Sequence, residues 1–243
     1  MTVFSYELAP DGAAPLGLIV LQTDETIERD MQRMLAGVAL YVSRVPSGAE
    51  VTSDTLQQMA GQITHAAGLL PQAQDFGVIG YGCTSGTAQI GPGQIAQLVN
   101  EGAKTSHVSE PVSALQAACA HLRIKRLAFL SPYIEEVSSK LRDVLAAGGV
   151  QTPVFGSFAE AQEAKVVRIS GPSIIAAATA LCKDADVDAL FLSCTNLRTL
   201  DVIDPLEQAI GLPVLSSNQV LAWHMARLGG VAAQGPGQLF APT

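Results

Sequence analysis

The sequence predicts an α/β protein made of two similar parallel-sheet halves, and three observations carry that reading. Apolar runs suited to strands alternate with helical stretches from one end of the chain to the other. This is the pattern of parallel strands covered on both faces. A strand that leads into a Cys-Thr pair occurs twice. A length of 243 residues is enough for two domains of ordinary size, each with its own core.

The elements follow in order. LGLIVL (16–21) reads as a buried strand, and the stretch 24–35 has helical spacing with Thr23 or Asp24 as its cap. The run 38–45 is a second strand. Ser53 is placed to cap a helix reaching about residue 69, with Asp54 in the first turn, where the helix dipole favours an acid. FGVIGYG (76–82) is a third strand, and 91–102 continues as helix. A helix near 110–122, a strand at 126–130, a helix at 134–147 and a strand at 150–157 come next. Gly171-Pro172 opens another helix; a strand at 188–193, a helix near 203–210, a strand at 213–216 and a helix at 218–228 complete the alternation. The tail 229–243 is punctuated by glycine and proline and reads as surface loop.

The duplication is specific. DFGVIGYGCTSG starts at Asp75 and DVDALFLSCTNL at Asp186, and each reaches its cysteine, Cys83 or Cys194, eight residues later. Farther on, HVSEPVSAL (107–115) is echoed by VLSSNQVLA (214–222), each a short strand, a polar turn and a helix. Two halves of roughly 110 residues result, a common domain size. The expected division is 1–115 plus 217–243 for the first half-domain and 116–216 for the second.

Composition removes several classes of function. With 48% hydrophobic and 15% charged residues the chain is not disordered. A formal net charge of −8 argues against nucleic acid or an anionic membrane as partner, since both favour a basic surface. Four cysteines are too few for a disulfide scaffold. The apolar run 13–21 is far short of a membrane span and follows Asp11 rather than a basic segment. A cytoplasmic protein with reduced thiols, assembled as a homo-oligomer, is expected.

Cys83 and Cys194 stand at the carboxyl ends of strands, each before a turn into a helix. Ligands bind at that edge of an open α/β sheet. Backbone N–H groups and a helix N-terminus there favour thiolate over thiol. Two thiols facing each other across a cleft can act on opposite faces of one carbon. Thr84, Ser85, Gly86 and Thr87 form a hydroxyl-rich turn after the first cysteine, and Thr195 and Asn196 do so after the second. Such turns bind carboxylates, and the same residues also cap helices. Cys119 and Cys182, in apolar helical stretches, read as core. His224, beside Trp223, reads as a packing residue, and Arg198 as either a carboxylate ligand or a solvated helix end. The dinucleotide fingerprint, the phosphatase loop (Gln89 and Leu200 stand where its arginine would be) and the nucleophile elbow are absent. The four histidines show no metal-ligand spacing, so no metal site is expected.

YGCTSGT around Cys83, SPY at 131–133, LSCTNLRT around Cys194 and GLPVLSSNQVLAWHMARLGG at 211–230 together resemble the maleate cis-trans isomerases. These belong to the aspartate/glutamate racemase superfamily, with arylmalonate decarboxylases as relatives and ectoine-utilisation proteins grouped nearby. The resemblance runs from about Leu16 to Gly230. It implies two Rossmann-like domains related by a pseudo-twofold axis, an active site in the cleft between them, and no cofactor. Cys83 would be the nucleophile or first base, Cys194 the opposite acid/base, and Tyr133 a hydrogen-bond donor to a substrate carboxylate. Decarboxylase relatives place glycine at the first cysteine position, so isomerisation or racemisation fits better here than decarboxylation. An arylmalonate-decarboxylase-like enzyme and, from another class, a non-catalytic small-molecule binder of the same fold are the alternatives.

One departure bears on the substrate. Asp24 stands where the maleate isomerases carry a substrate-binding asparagine, and an ionised aspartate accepts hydrogen bonds but cannot donate them. Racemases of the superfamily hold the substrate's ammonium with an acid after the first strand; a helix cap is the other reading of Asp24. For the second asparagine Gln162 or Glu163 is nearest, and Gln162 is assigned to the site. A small carboxylic acid is the expected substrate, with acids carrying nitrogen among the candidates and maleate itself disfavoured by Asp24.

Overall fold

The computed structural model describes residues 1–10 and 12–242; Asp11, and Thr243 at the end of the tail, lie outside the described residues. The first half runs β1 (Leu16–Leu21), α1 (Ile27–Met34), β2 (Leu40–Val45), α2 (Ser53–Gln58), α3 (Ala60–Gly68), β3 (Phe76–Gly82), α4 (Thr84–Ile90), α5 (Pro92–Gly102) and β4 (Thr105–Ser109). The chain continues through α6 (Pro111–Leu122), β5 (Arg126–Ser131), α7 (Glu135–Ala147), β6 (Gln151–Ser157), α8 (Glu163–Val166) and α9 (Gly171–Cys182). It ends with β7 (Ala189–Leu192), α10 (Ile203–Ile210), β8 (Val214–Ser216) and α11 (Ser217–Gly229).

The strands form two four-stranded parallel sheets of identical order, β2-β1-β3-β4 and β6-β5-β7-β8. All six residues of β1 and all four of β7 are buried, as central strands covered on both faces must be. In each sheet the strand order reverses between the first strand of the half and the third, which opens a crevice at their carboxyl ends. Val20 pairs with Gly82 in the first sheet and Leu130 with Leu192 in the second. The segments leaving β1 and β3 therefore emerge side by side, as do those leaving β5 and β7. Helix α11 returns to the first half and packs on α1, β3 and β4, and also on α6.

Several local details differ from the sequence reading. The helix expected over 53–69 is two helices meeting at Met59, and its cap is Thr52, whose side chain accepts from Thr55 N–H in a reciprocal capping box. Helix α1 begins at Ile27, three residues late, because Asp24 accepts from the N–H groups of Thr26 and Ile27 across the turn (both 2.8 Å). The residues after Cys83 are not a turn before a helix: α4 starts at Thr84, with Cys83 as its cap. No helix follows Cys194 directly; a loop leads to a 3₁₀ turn at Leu200–Val202. The tail is not all surface loop, since Leu239, in a 3₁₀ turn, is buried in the core around Phe129 and Trp223. Cys119 is core as expected, but Cys182, the last residue of α9, is only half-buried.

Candidate active site

Cys83 and Cys194, one from each half, line a single enclosed cavity with Thr84, Ser85, Tyr133, Glu163 and Thr195. Leu21, Val51 and Leu56 supply its apolar wall. The cavity measures about 20 Å³, room for one water molecule. The segment over it is an interhalf bridge: Glu50 pairs with Gln162, Val51 N–H donates to Ala161, and Glu163 N–H donates to Ala49.

That bridge decides which of two adjacent residues enters the site. Consecutive side chains in extended backbone point to opposite sides. Gln162, assigned to the site from sequence, faces solvent, whereas Glu163 is 2% exposed and lines the cavity. Asn196 locks Glu163 in place. Its Oδ1 accepts from Glu25 N–H (2.9 Å), which turns its Nδ2 toward Glu163 Oε2 (2.6 Å). The Tyr133 hydroxyl donates to Glu163 Oε1 (2.5 Å) and lies 2.9 Å from Cys194 Sγ. With its hydrogen engaged by Glu163, the Tyr133 oxygen is left to accept from the Cys194 thiol.

Of the two roles considered for Asp24, capping is the one its contacts show, and it is not among the residues that line the cavity. Its Oδ1 caps α1, while its buried Oδ2 has no hydrogen-bond partner. The Thr195 hydroxyl is near enough to favour the charged form, yet donates to the Gly82 carbonyl at 3.3 Å. Burial holds Asp24 above the ordinary carboxylate range, against the two N–H donors that lower it. An ionised Asp24 therefore weakens folding at neutral pH, and that effect disappears below about pH 4, where the unfolded state is protonated too. Asp24→Asn is expected to raise Tm by roughly 2–4 °C at pH 7, equivalent to about 1 kcal/mol, with the gain vanishing toward pH 4. Thermal denaturation across that range measures it; an equal shift at both ends would contradict the burial account.

Residues that the sequence reading did not single out tie the halves together at the start of α11. Ser217 Oγ accepts from the Thr84 hydroxyl (2.8 Å) and from Cys194 N–H (3.0 Å), and Asn218 donates to Thr195 O (2.8 Å) and Asp30 (2.9 Å). Cys194 has φ +109°, a conformation that side-chain-bearing residues rarely adopt and that surrounding contacts must hold. The Ser217 bond and the Asn196 clasp are such contacts. His224 Nδ1 bonds Ser109 Oγ (2.8 Å) beside Trp223, a packing position, and Arg198 is exposed.

The thiols are not favoured as thiolates in the empty site. Burial pushes Cys83 up to about 12; the N–H of Gly86, 3.1 Å from its sulfur, opposes this, and the charges of Glu163 and Asp24 add to it. Burial also raises Cys194 well above the ordinary thiol value, with Glu163 as the next cause. The N–H donors expected to stabilise a thiolate are present, but burial beside two carboxylates outweighs them. Among the described residues no group of three or more His, Cys, Asp or Glu side chains is arranged to hold a metal, and no helix is long and apolar enough to cross a membrane.

Known proteins place this geometry. The chain is 26% identical over 235 residues to a maleate isomerase of Nocardia farcinica, covering 89% of this chain and 90% of that protein. It is 30% identical over 123 residues to an arylmalonate decarboxylase of Bordetella bronchiseptica, about half of each chain (49% and 51%). A solved structure of the Nocardia farcinica maleate cis-trans isomerase, a cysteine-to-serine variant with a covalently bound succinylcysteine intermediate, superposes with a TM-score of 0.84 at 25% identity. It covers 94% of this chain and 98% of that one. Residues 16–240 match the family described as arylmalonate decarboxylase, and the chain belongs to that family, on the branch it shares with the maleate isomerases of the aspartate/glutamate racemase superfamily.

Proposed function

We propose that this chain is a cofactor-independent isomerase or racemase of a small carboxylic acid, with Cys83 and Cys194 acting on opposite faces of the reacting carbon. The observation that carries the proposal is the placement of two thiols, one from each half, on the walls of one cavity. The hydrogen bonds give the pair a direction. Cys194 is a donor toward Tyr133, which suits a thiol that delivers a proton. The Cys83 sulfur accepts from Gly86 N–H, which suits the partner that attacks carbon or removes a proton.

In racemisation the Cys83 thiolate takes the proton α to the carboxylate, the C–H electron pair moves into an enediolate, and the Cys194 thiol protonates the other face. In isomerisation the Cys83 thiolate adds to one alkene carbon, and the π electron pair moves to the neighbouring carbon and is protonated by the Cys194 thiol. Rotation occurs about the resulting single bond, and return of that proton to Cys194 with expulsion of the Cys83 thiolate restores the alkene. Thr84, Ser85 and Thr195 line the cavity; the Thr84 and Thr195 hydroxyls donate to Ser217 and to the Gly82 carbonyl, and turning them toward the carbon on which charge develops would put donors where they are most effective. Cys83 also bears on the choice of reaction, since decarboxylase relatives carry glycine at that position.

Incubation with candidate acids in heavy water, followed by NMR, tests the reading. Deuterium at a carbon α to a carboxylate, or interconversion of cis and trans isomers, is the expected result. Loss of carbon dioxide in place of exchange would make the chain a decarboxylase, and binding with neither would make it a non-catalytic binder.

A further inference from the structure

The main chain that carries Cys194 is held at successive points by residues of the first half and of α11. Cys194 N–H donates to Ser217 Oγ (3.0 Å), Thr195 O accepts from Asn218 Nδ2 (2.8 Å), and Asn196 O accepts from the Thr26 hydroxyl (2.9 Å). Asn218 is fully buried, and its Nδ2 also donates to Oδ2 of Asp30 (2.9 Å), a residue only 1% exposed. The Asn218 Oδ1 is buried with no partner, a cost that the two bonds on the nitrogen must offset. The reversed amide would set that oxygen against the Asp30 carboxyl and the Thr195 carbonyl, so the nitrogen is fixed toward the Cys194 loop. The Asn196 N–H belongs to the same peptide unit as the Thr195 carbonyl and points at Cys194 Sγ (3.3 Å). A run of polar groups therefore joins Asp30 on α1 to a thiol of the cavity: carboxyl, side-chain amide, peptide, sulfur.

We infer that Asn218, anchored by Asp30, is a positioning residue for Cys194: its bond to the Thr195 carbonyl polarises the Thr195–Asn196 peptide, strengthens the N–H bond to the sulfur and makes that thiol a better proton donor. A carbonyl that accepts a hydrogen bond draws electron density from its amide nitrogen, and in a buried site such bonds reinforce one another. The N–H favours the thiolate, the form Cys194 takes once its proton is delivered. Burial raises Cys194, and the charges of Glu163 and Asp24 add to it; the Asn196 N–H works against them, and the Tyr133 hydroxyl is the other polar group against the sulfur. Burial also raises Asp30 and Asp201 adds to it, while Asn218, Arg29 and Arg33 favour its charge. A carboxyl in either state can accept at Oδ2, so the anchor does not depend on which form prevails. The inference rests on the proposed function in one respect, that Cys194 has a proton to deliver.

Alkylation of Cys194 tests this without turnover. In a Cys83→Ser background, with Cys119 and Cys182 resolved by peptide mass mapping, the iodoacetamide rate from about pH 8 to about pH 9.5 follows the thiolate fraction of Cys194. Asn218→Leu is expected to slow that rate about threefold to tenfold at every pH, the scale on which losing one member weakens a buried run of hydrogen bonds to a charge. The exchange of Asp30→Asn together with Asn218→Asp keeps a carboxyl, an amide and the bond between them, but turns an acceptor toward Thr195. It is expected to fold like its parent and to be slowed by a similar factor. A purely structural role predicts the opposite sign, because a loosened site exposes the thiol and speeds alkylation. A rate unchanged or raised in whichever variant folds like the parent would overturn the inference. With Cys83 present, the same variants should lower kcat with little change in KM and still form the Cys83 adduct. If Cys194 is slowed as expected but the wild-type chain neither exchanges deuterium nor isomerises any candidate acid, the positioning role stands and the isomerase reading falls.

Discussion

Cys83→Ser and Cys194→Ser, made separately, are each expected to reduce turnover by about 10² to 10⁴-fold while leaving the fold intact. Serine fills nearly the same volume, and both cysteines are small buried groups at the ends of well-packed strands, so the substitution tests chemistry more than packing. A hydroxyl is a far poorer nucleophile and acid than a thiol, and losing one member of an acid/base pair typically costs about 10² to 10⁴ in rate. The two variants should fail differently. Cys194→Ser retains the sulfur that attacks, so it should still form a covalent adduct at Cys83 with an unsaturated acid, visible by intact-protein mass spectrometry. Cys83→Ser should form none. Near-normal activity in either variant would sink the two-thiol mechanism. In the wild type, alkylation of Cys83 by iodoacetamide should be slow at pH 7 and should rise about tenfold per pH unit toward its raised value of about 12. The sign follows from burial, which favours the neutral thiol at every pH below that value.

Much of the fold and part of the site were legible because they are written in local periodicity. Apolar runs that match buried parallel strands made β1, β3, β5 and β7 readable, and the repeated Cys-Thr offset placed both thiols at equivalent strand ends. What escaped was set by contacts distant in sequence. Nothing local distinguishes Gln162 from Glu163; their facing is fixed when 161–163 pairs with 49–51 from the other half. Ser217 and Asn218 belonged to a motif already recognised as an echo of 109–111, but their partners, Cys194 and Asp30, are reached only when the halves close. The break at Met59 and the cap at Thr52 fall in a stretch where Thr52, Ser53 and Thr55 offer competing caps, and the reciprocal Thr52–Thr55 pair prevails. The thiol acidity was misread for the same reason. Strand ends and N–H donors were visible in sequence, but the burial and the two converging carboxylates were not.

Tyr133→Phe is expected to reduce kcat about 10² to 10³-fold, the range for removing one proton-transfer partner, with a much smaller change in KM. The hydroxyl bridges Cys194 and Glu163 directly, accepting from the thiol and donating to the carboxylate. Phenylalanine preserves the ring that fills the wall and leaves Glu163 with Asn196 as its remaining side-chain donor, so the carboxylate, already raised by burial, should move up further. Burial also keeps the Tyr133 phenol protonated well above pH 10, so it acts as a fixed hydrogen-bond bridge rather than a titrating base. Two readouts distinguish this role from mere support of the wall. First, the variant should still build the Cys83 adduct, because only the second proton step passes through Cys194. Second, Glu163→Gln should keep the adduct as well but shift the acid limb of the kcat profile, since the glutamine side chain does not titrate. A Tyr133→Phe variant that loses adduct formation and turnover together would assign the hydroxyl to substrate positioning. A variant with unchanged kcat would remove the Glu163–Tyr133–Cys194 chain from the mechanism.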